Sequence, residues 1–162
     1  MKILYIGGQK SGKSSLAEKK ILAISKKKPT YIATYDNSYH DREMQLRIDK
    51  HRERREAGFE TIQEALHLDK VIQDGGYYLV DCLSMWILNL LESELDYQEI
   101  LTSVLNTDAT IIFVLNDVNN GIIPDNALSR RYIDMSGIIG QIVASECDEV
   151  YHIITGLKNR LK

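Results

Sequence analysis

Eight residues near the start constrain this chain more than any others. Gly7-Gly8-Gln9-Lys10-Ser11-Gly12-Lys13-Ser14 fits G-x-x-x-x-G-K-[ST], the phosphate-binding P-loop pattern. The flanks fit as well. Met1 to Ile6 reads as a short buried strand, and Ser14 to Ile24 as a helix with Leu16, Ile21 and Ile24 on its apolar side. A strand, a glycine loop and a helix N-terminus in this order present backbone N–H groups and the positive end of a helix dipole to an anion. Gly7, Gly8, Gln9, Lys10, Ser11 and Gly12 therefore read as a phosphate cradle. Lys13 is expected to reach the β- and γ-phosphates, and Ser14 to ligate Mg²⁺. The ligand class is a nucleoside triphosphate.

The bulk properties narrow the class further. At 162 residues the chain reads as one domain, spanning 1–162. A net charge of −3 gives no general electrostatic reason to bind nucleic acid. No run of about 18 apolar residues occurs, so no membrane span is expected. The N-terminus lacks the apolar core of a signal peptide, and Cys82 and Cys147 are the only thiols. Both points suggest a reduced, cytoplasmic setting.

Further along, Lys26-Lys27-Lys28-Pro29 reads as a solvated helix stop. Thr30 to Thr34 reads as a second strand, and its C-terminal end, Ala33 and Thr34, falls where an open α/β sheet forms its ligand crevice. Asp41 to Glu56 is dense in charge, with Met44 and Ile48 as a residual apolar stripe, and reads as an exposed helix. It carries His51 among Arg52, Arg54 and Arg55, a grouping suited to a polyphosphate. His40 and His67 read as surface residues, and His152, in an apolar strand, as a core group. Gly58 to Ile62 reads as a short edge strand and Glu64 to Gln73 as a helix.

Tyr77-Tyr78-Leu79-Val80-Asp81 is an apolar run ending in a carboxylate, the pattern of a strand whose Asp helps hold Mg²⁺; the alternative is an Asp capping the helix Leu83–Leu91. Trp86 reads as core. A helix over Glu94–Asn106, a buried strand over Ala109–Leu115, a long helix from Asp125 to Glu146 capped by Asp125 or Asn126, and a strand from Asp148 to Gly156 follow; Lys158 to Lys162 reads as a basic tail. Strands and helices alternate throughout. The fold class is therefore α/β: a P-loop NTPase of RecA-like type, with a mostly parallel sheet and helices on both faces.

Several blocks together resemble one family. They are Gly7-Gly8-x-x-Ser11-Gly12-Lys13-Ser14, Tyr31-Ile32-Ala33-Thr34, Glu43-Met44-x-x-Arg47-Ile48-x-x-His51-Arg52, Val80-Asp81-Cys82-Leu83-Ser84-Met85-Trp86, Val118-x-x-Gly121-Ile122-Ile123-Pro124, and Asp148-Glu149-Val150-Tyr151 with Gly156-Leu157. The chain resembles the bifunctional adenosylcobinamide kinase/adenosylcobinamide-phosphate guanylyltransferases of cobalamin biosynthesis, nearly end to end. The resemblance implies two reactions. A nucleoside triphosphate, ATP or GTP, phosphorylates adenosylcobinamide. GTP then gives GMP to an enzyme histidine, and the GMP passes to adenosylcobinamide phosphate. It implies His51 as the nucleophile and a homotrimer, with Ala33, Thr34, Arg52, Arg54, Arg55, Gln63 and Asp81 at the nucleotide. A histidine attacking phosphorus needs nearby cations to offset developing charge, and the arginines beside His51 meet that need.

The chain departs from the family pattern at Lys50, Phe59, Gln63, Asn119 and Gly140, positions expected near nucleotide and substrate. Two alternatives therefore stay open: a kinase that has lost guanylyl transfer, and a P-loop nucleotide switch that binds a protein partner.

Overall fold

The computed structural model describes residues 1–36, 58–118, 121 and 123–162. The region expected as the helix Asp41–Glu56, with His51 and its arginines, lies outside these, as do Asn119, Asn120 and Ile122.

Runs of apolar residues too short for helices build the centre. Strands β1 (Lys2–Gly7), β2 (Thr30–Ala33), β3 (Glu60–Gln63), β4 (Tyr77–Asp81), β5 (Thr110–Asn116), β6 (Glu149–Ile154) and β7 (Leu157–Arg160) form a sheet in the order β3-β2-β4-β5-β1-β6-β7. All pairings are parallel except the β6–β7 hairpin. The helices α1 (Lys13–Ile24), α2 (Leu68–Val71), α3 (Leu83–Leu91), α4 (Tyr97–Asn106) and α5 (Ala127–Glu146) lie between the strands in sequence.

The two-residue side-chain period of a strand divides the core into two. Ile3, Tyr5, Leu79, Ile112 and Val114 face α1 and pack with Ala17 and Ile21. Leu4, Val80, Phe113 and Leu115 face the other way, against Trp86, Ile87, Leu101, Val104, Ile139 and Val143 of α3, α4 and α5. Both faces of the sheet are thus covered, as expected for near-continuous apolar strands.

Several boundaries differ from the sequence reading, each for a local reason. The helix expected over Glu64–Gln73 is only α2, because the Glu64 carboxylate accepts hydrogen bonds from the Leu66 and His67 N–H groups and ties that stretch into a turn. α4 starts at Tyr97, where Asp96 caps it by accepting from Gln98 N, and α5 is capped by Asn126, which accepts from Ser129 N. The basic tail forms β7, an exposed edge strand joined to β6 through Thr155 and Gly156, both at positive φ. No described helix is long and apolar enough to cross a membrane.

Candidate active site

The parallel strands point their C-terminal ends in one direction, so the loops after β1, β2, β4 and β5 converge on one edge. The P-loop begins at Gly7, the last residue of β1. A Cβ there would sit 2.5 Å from the Ile153 carbonyl oxygen and 2.8 Å from Ser11 Oγ, so any larger residue would displace the loop. Gly12 caps α1 with φ 93°, a conformation that L side chains rarely adopt. The hairpin turn after β6 props the loop from behind: Gly156 N donates to Ser11 O at 2.8 Å. Ser11 Oγ is buried with no partner, a donor left over for a ligand in the loop.

Lys13 is only 6% exposed, and its Nζ donates to Gly8 O at 3.1 Å. Burial lowers its pKa below the usual lysine value, partly offset by Cys82 and Asp81. An anion in the loop would relieve that penalty.

β4 carries Asp81 to the same edge. Its carboxylate does not cap α3, whose N-cap is Cys82 with no side-chain bond. Oδ1 instead accepts from Ser14 Oγ at 3.3 Å, and Oδ2 accepts from the Tyr31 hydroxyl at 2.8 Å. A hydroxyl and a carboxylate side by side at a helix N-terminus are hard oxygen donors. They suit a hard cation such as Mg²⁺, which completes its shell with phosphate oxygens and water. Among the described residues no group of three or more His, Cys, Asp or Glu could hold a metal without such help.

The structure brings Gly7 to Ser14 and Asp81 together, with Ala33 on the strand beside Asp81. Thr34 lies deeper than expected. It is fully buried, its hydroxyl donates to Cys82 O at 2.7 Å and accepts from Cys82 N at 3.1 Å, and its carbonyl accepts from Asn89 Nδ2. Its side chain thus ties β2 to the turn after β4. Thr34→Val takes that partner from Cys82 N, while Cys82 O still accepts from Met85 N and Trp86 N. The expected cost is about 1–3 kcal/mol. Thermal denaturation should show a midpoint lower by roughly 2–12 °C.

Gln63 is exposed, and its amide donates to Tyr35 O at 3.1 Å. His51, Arg52, Arg54 and Arg55 lie outside the described residues. His152 is not a core residue. It sits near the end of β6, partly exposed, with Nε2 3.4 Å from Asp117 Oδ2, and Asp117 N donates to Gly7 O. Two departures from the family pattern also serve packing. Phe59 is buried edge-on against the Tyr31 ring, and a Cβ on Gly140 would come within 3.2 Å of Leu115. Sequence reasoning missed the Tyr31 hydroxyl and Asn89. The signal for Tyr31 was its place in the Tyr31-Ile32-Ala33-Thr34 block, two residues ahead of the crevice.

The cobinamide kinase/cobinamide phosphate guanyltransferase family matches residues 3–161. The chain is similar to the bifunctional adenosylcobalamin biosynthesis protein CobP of Pseudomonas aeruginosa, at 38% identity covering 100% of this chain and 98% of that one. It is similar to the bifunctional adenosylcobalamin biosynthesis protein CobU of Escherichia coli, at 30% identity over the full length of both. Among solved structures, the flagellar accessory protein FlaH from Methanocaldococcus jannaschii shares the fold, with a TM-score of 0.52 at 15% identity, over 99% of this chain and 77% of that one. With a P-loop at the end of β1, a match along almost its whole length and relatives aligned end to end, the chain belongs to the cobinamide kinase/cobinamide phosphate guanyltransferase family.

Proposed function

We propose that this chain, as a single domain, runs both reactions of its family from one nucleotide cradle: it is an adenosylcobinamide kinase and an adenosylcobinamide-phosphate guanylyltransferase. In the first reaction a hydroxyl of adenosylcobinamide attacks the γ-phosphorus of ATP or GTP. The bond from that phosphorus to the β,γ-bridging oxygen breaks, the nucleoside diphosphate leaves, and the hydroxyl proton is released. In the second, a neutral imidazole nitrogen of His51 attacks the α-phosphorus of GTP, and pyrophosphate leaves. A phosphate oxygen of adenosylcobinamide phosphate then attacks the same phosphorus, the P–N bond breaks, and adenosyl-GDP-cobinamide forms with the histidine restored.

The residues divide this work. Gly7 to Gly12 present N–H groups to the β,γ end of the nucleotide. Lys13, already buried, supplies a fixed positive charge where charge moves in either transition state. Ser14 and Asp81 would hold Mg²⁺, which supplies charge neutralisation on the phosphates when bound. Arg52, Arg54 and Arg55 would steady the α-phosphate beside His51, and Ala33 and Gln63 would line the approach to the nucleotide, while Thr34, buried behind it, supports the turn after β4. The observation that carries the reading is the meeting of Ser14 and Asp81 under the P-loop, 67 residues apart in sequence. A homotrimer working in the cytoplasm is part of the same proposal; its mass in solution should be three times the 18.5 kDa of the chain, and a monomer at working concentration would contradict it.

The test supplies adenosylcobinamide with GTP labelled at the α- or the γ-phosphate. The reading expects γ-label on the corrinoid first, then α-label on it with release of pyrophosphate. A protein that hydrolyses GTP without labelling the corrinoid at either stage would overturn it.

A further inference from the structure

Asp81 has two carboxylate oxygens, and each is engaged by a hydroxyl from a different element. Ser14 Oγ, in the first turn of α1, donates to Oδ1 at 3.3 Å; the Tyr31 phenol, on β2, donates to Oδ2 at 2.8 Å. The Tyr31 ring has little freedom to leave this position. The residue is 5% exposed, its strand is locked to β4 in register (Tyr31 opposite Leu79, Ala33 opposite Asp81), and Phe59 packs edge-on against it, with centroids 5.9 Å apart and planes at 81°. The phenol is therefore a fixed point against which the Asp81 carboxylate is held.

We infer that Tyr31 is a positioning residue for the divalent cation: its phenol holds the Asp81 carboxylate turned toward Ser14, so that the metal-binding donors are set before nucleotide arrives. The inference rests on the reading that Asp81 and Ser14 hold that cation. Without the phenol the carboxylate can rotate about its terminal torsion, which is broad for Asp, and part of the ordering falls to the binding step. Donation from the phenol also draws charge from the carboxylate, which by itself weakens its hold on a cation. The two effects oppose each other. Orientation wins here, because the partner is rigid and the second oxygen stays directed at Ser14. Hydrogen-bonded partners of metal ligands commonly change affinity by about 10–100-fold when removed.

The experiment measures Mn²⁺ binding, by its electron paramagnetic resonance signal, to the protein loaded with a non-hydrolysable GTP analogue. Tyr31→Phe should raise the Mn²⁺ dissociation constant about tenfold, while affinity for the metal-free analogue stays at the parent value. In turnover it should raise the Mg²⁺ concentration needed for half-maximal phosphoryl transfer and leave the rate at saturating Mg²⁺ near that of the parent. In an Asp81→Asn background the same substitution should change nothing further. Unchanged or tighter Mn²⁺ binding in Tyr31→Phe, or an equal loss with Asp81→Asn already in place, overturns the inference. If Asp81→Asn alone leaves Mn²⁺ binding at the parent value, the underlying metal reading fails instead. Should Tyr31→Phe not fold, Phe59→Leu keeps the phenol and loosens its support. It should weaken Mn²⁺ binding in the same direction, and a folded Phe59→Leu with parental binding overturns the inference.

Discussion

Lys13→Met is expected to silence both phosphoryl and guanylyl transfer, by about 10²–10³-fold or more in kcat, the scale seen when one preorganised charge-stabilising donor is removed. The two reactions break different bonds, so a shared loss is informative. Lys13 Nζ already reaches back to Gly8 O in the glycine loop, and the Asp81 carboxylate is near enough to favour its charge. In either reaction the β,γ end of the nucleotide would lie against it. The same variant carries a second expectation. Burial, the largest influence, lowers the Lys13 pKa in the folded protein. The folded state therefore holds the proton less firmly than the unfolded chain does. The charged lysine costs stability at neutral pH, and that cost fades as pH rises through the folded pKa. Methionine removes the charge and keeps most of the apolar stem. Without nucleotide, Lys13→Met should melt at or above the parent temperature, and GTP should no longer raise its midpoint. A variant that melts well below the parent would mean that activity was lost through the fold instead.

His51→Ala should separate what Lys13→Met joins. Incubated with α-labelled GTP, the parent should acquire GMP in an acid-labile, base-stable bond, as a phosphoramidate behaves, and release pyrophosphate. His51→Ala should acquire none and should still move the γ-phosphoryl group to adenosylcobinamide. The grouping of His51 with Arg52, Arg54 and Arg55 is the basis for this expectation. A variant that labels as fully as the parent would place the nucleophile elsewhere. His152 is the histidine to examine next, since it stands near the C-terminal end of β6 against Asp117, close to the base of the P-loop.

Much of this site is written locally in the chain, and the illegible part is the part made by distant contacts. The P-loop was readable because its chemistry demands glycine at fixed spacing, and Gly7 and Gly12 show why: one has no room for a side chain, the other sits at positive φ. β4 and β5 were readable because strands covered on both faces are apolar without interruption. Asp81 stood out as the polar end of such a run. β7 was missed because an edge strand has little to bury: Leu157 to Arg160 are all exposed, and the hairpin is set by the Thr155-Gly156 turn. The helix over Glu64–His67 was over-read because a carboxylate bonding its own backbone competes with helix formation, and periodicity does not register that. The Tyr31 bond to Asp81 spans 50 residues. Only the adjacency of β2 and β4 creates it, and strand order is not readable from either segment alone. The opposite error befell His152. Apolar neighbours along β6 suggested a core site, but its place near the strand end puts it beside Asp117.

The central claim is that one cradle serves two reactions, and pyrophosphate tests it most directly. Pyrophosphate is the leaving group of guanylyl transfer, and on this account it departs from the same loop that holds the β,γ end of the kinase nucleotide. The measurement is best made in His51→Ala, where no GMP–enzyme bond can form to complicate the kinetics: initial rates of adenosylcobinamide phosphorylation at several nucleotide and pyrophosphate concentrations, with Mg²⁺ in excess. The account predicts inhibition strictly competitive with nucleotide. Inhibition that persists at saturating nucleotide, or none at all, would mean that the two reactions use separate phosphate sites and would contradict it.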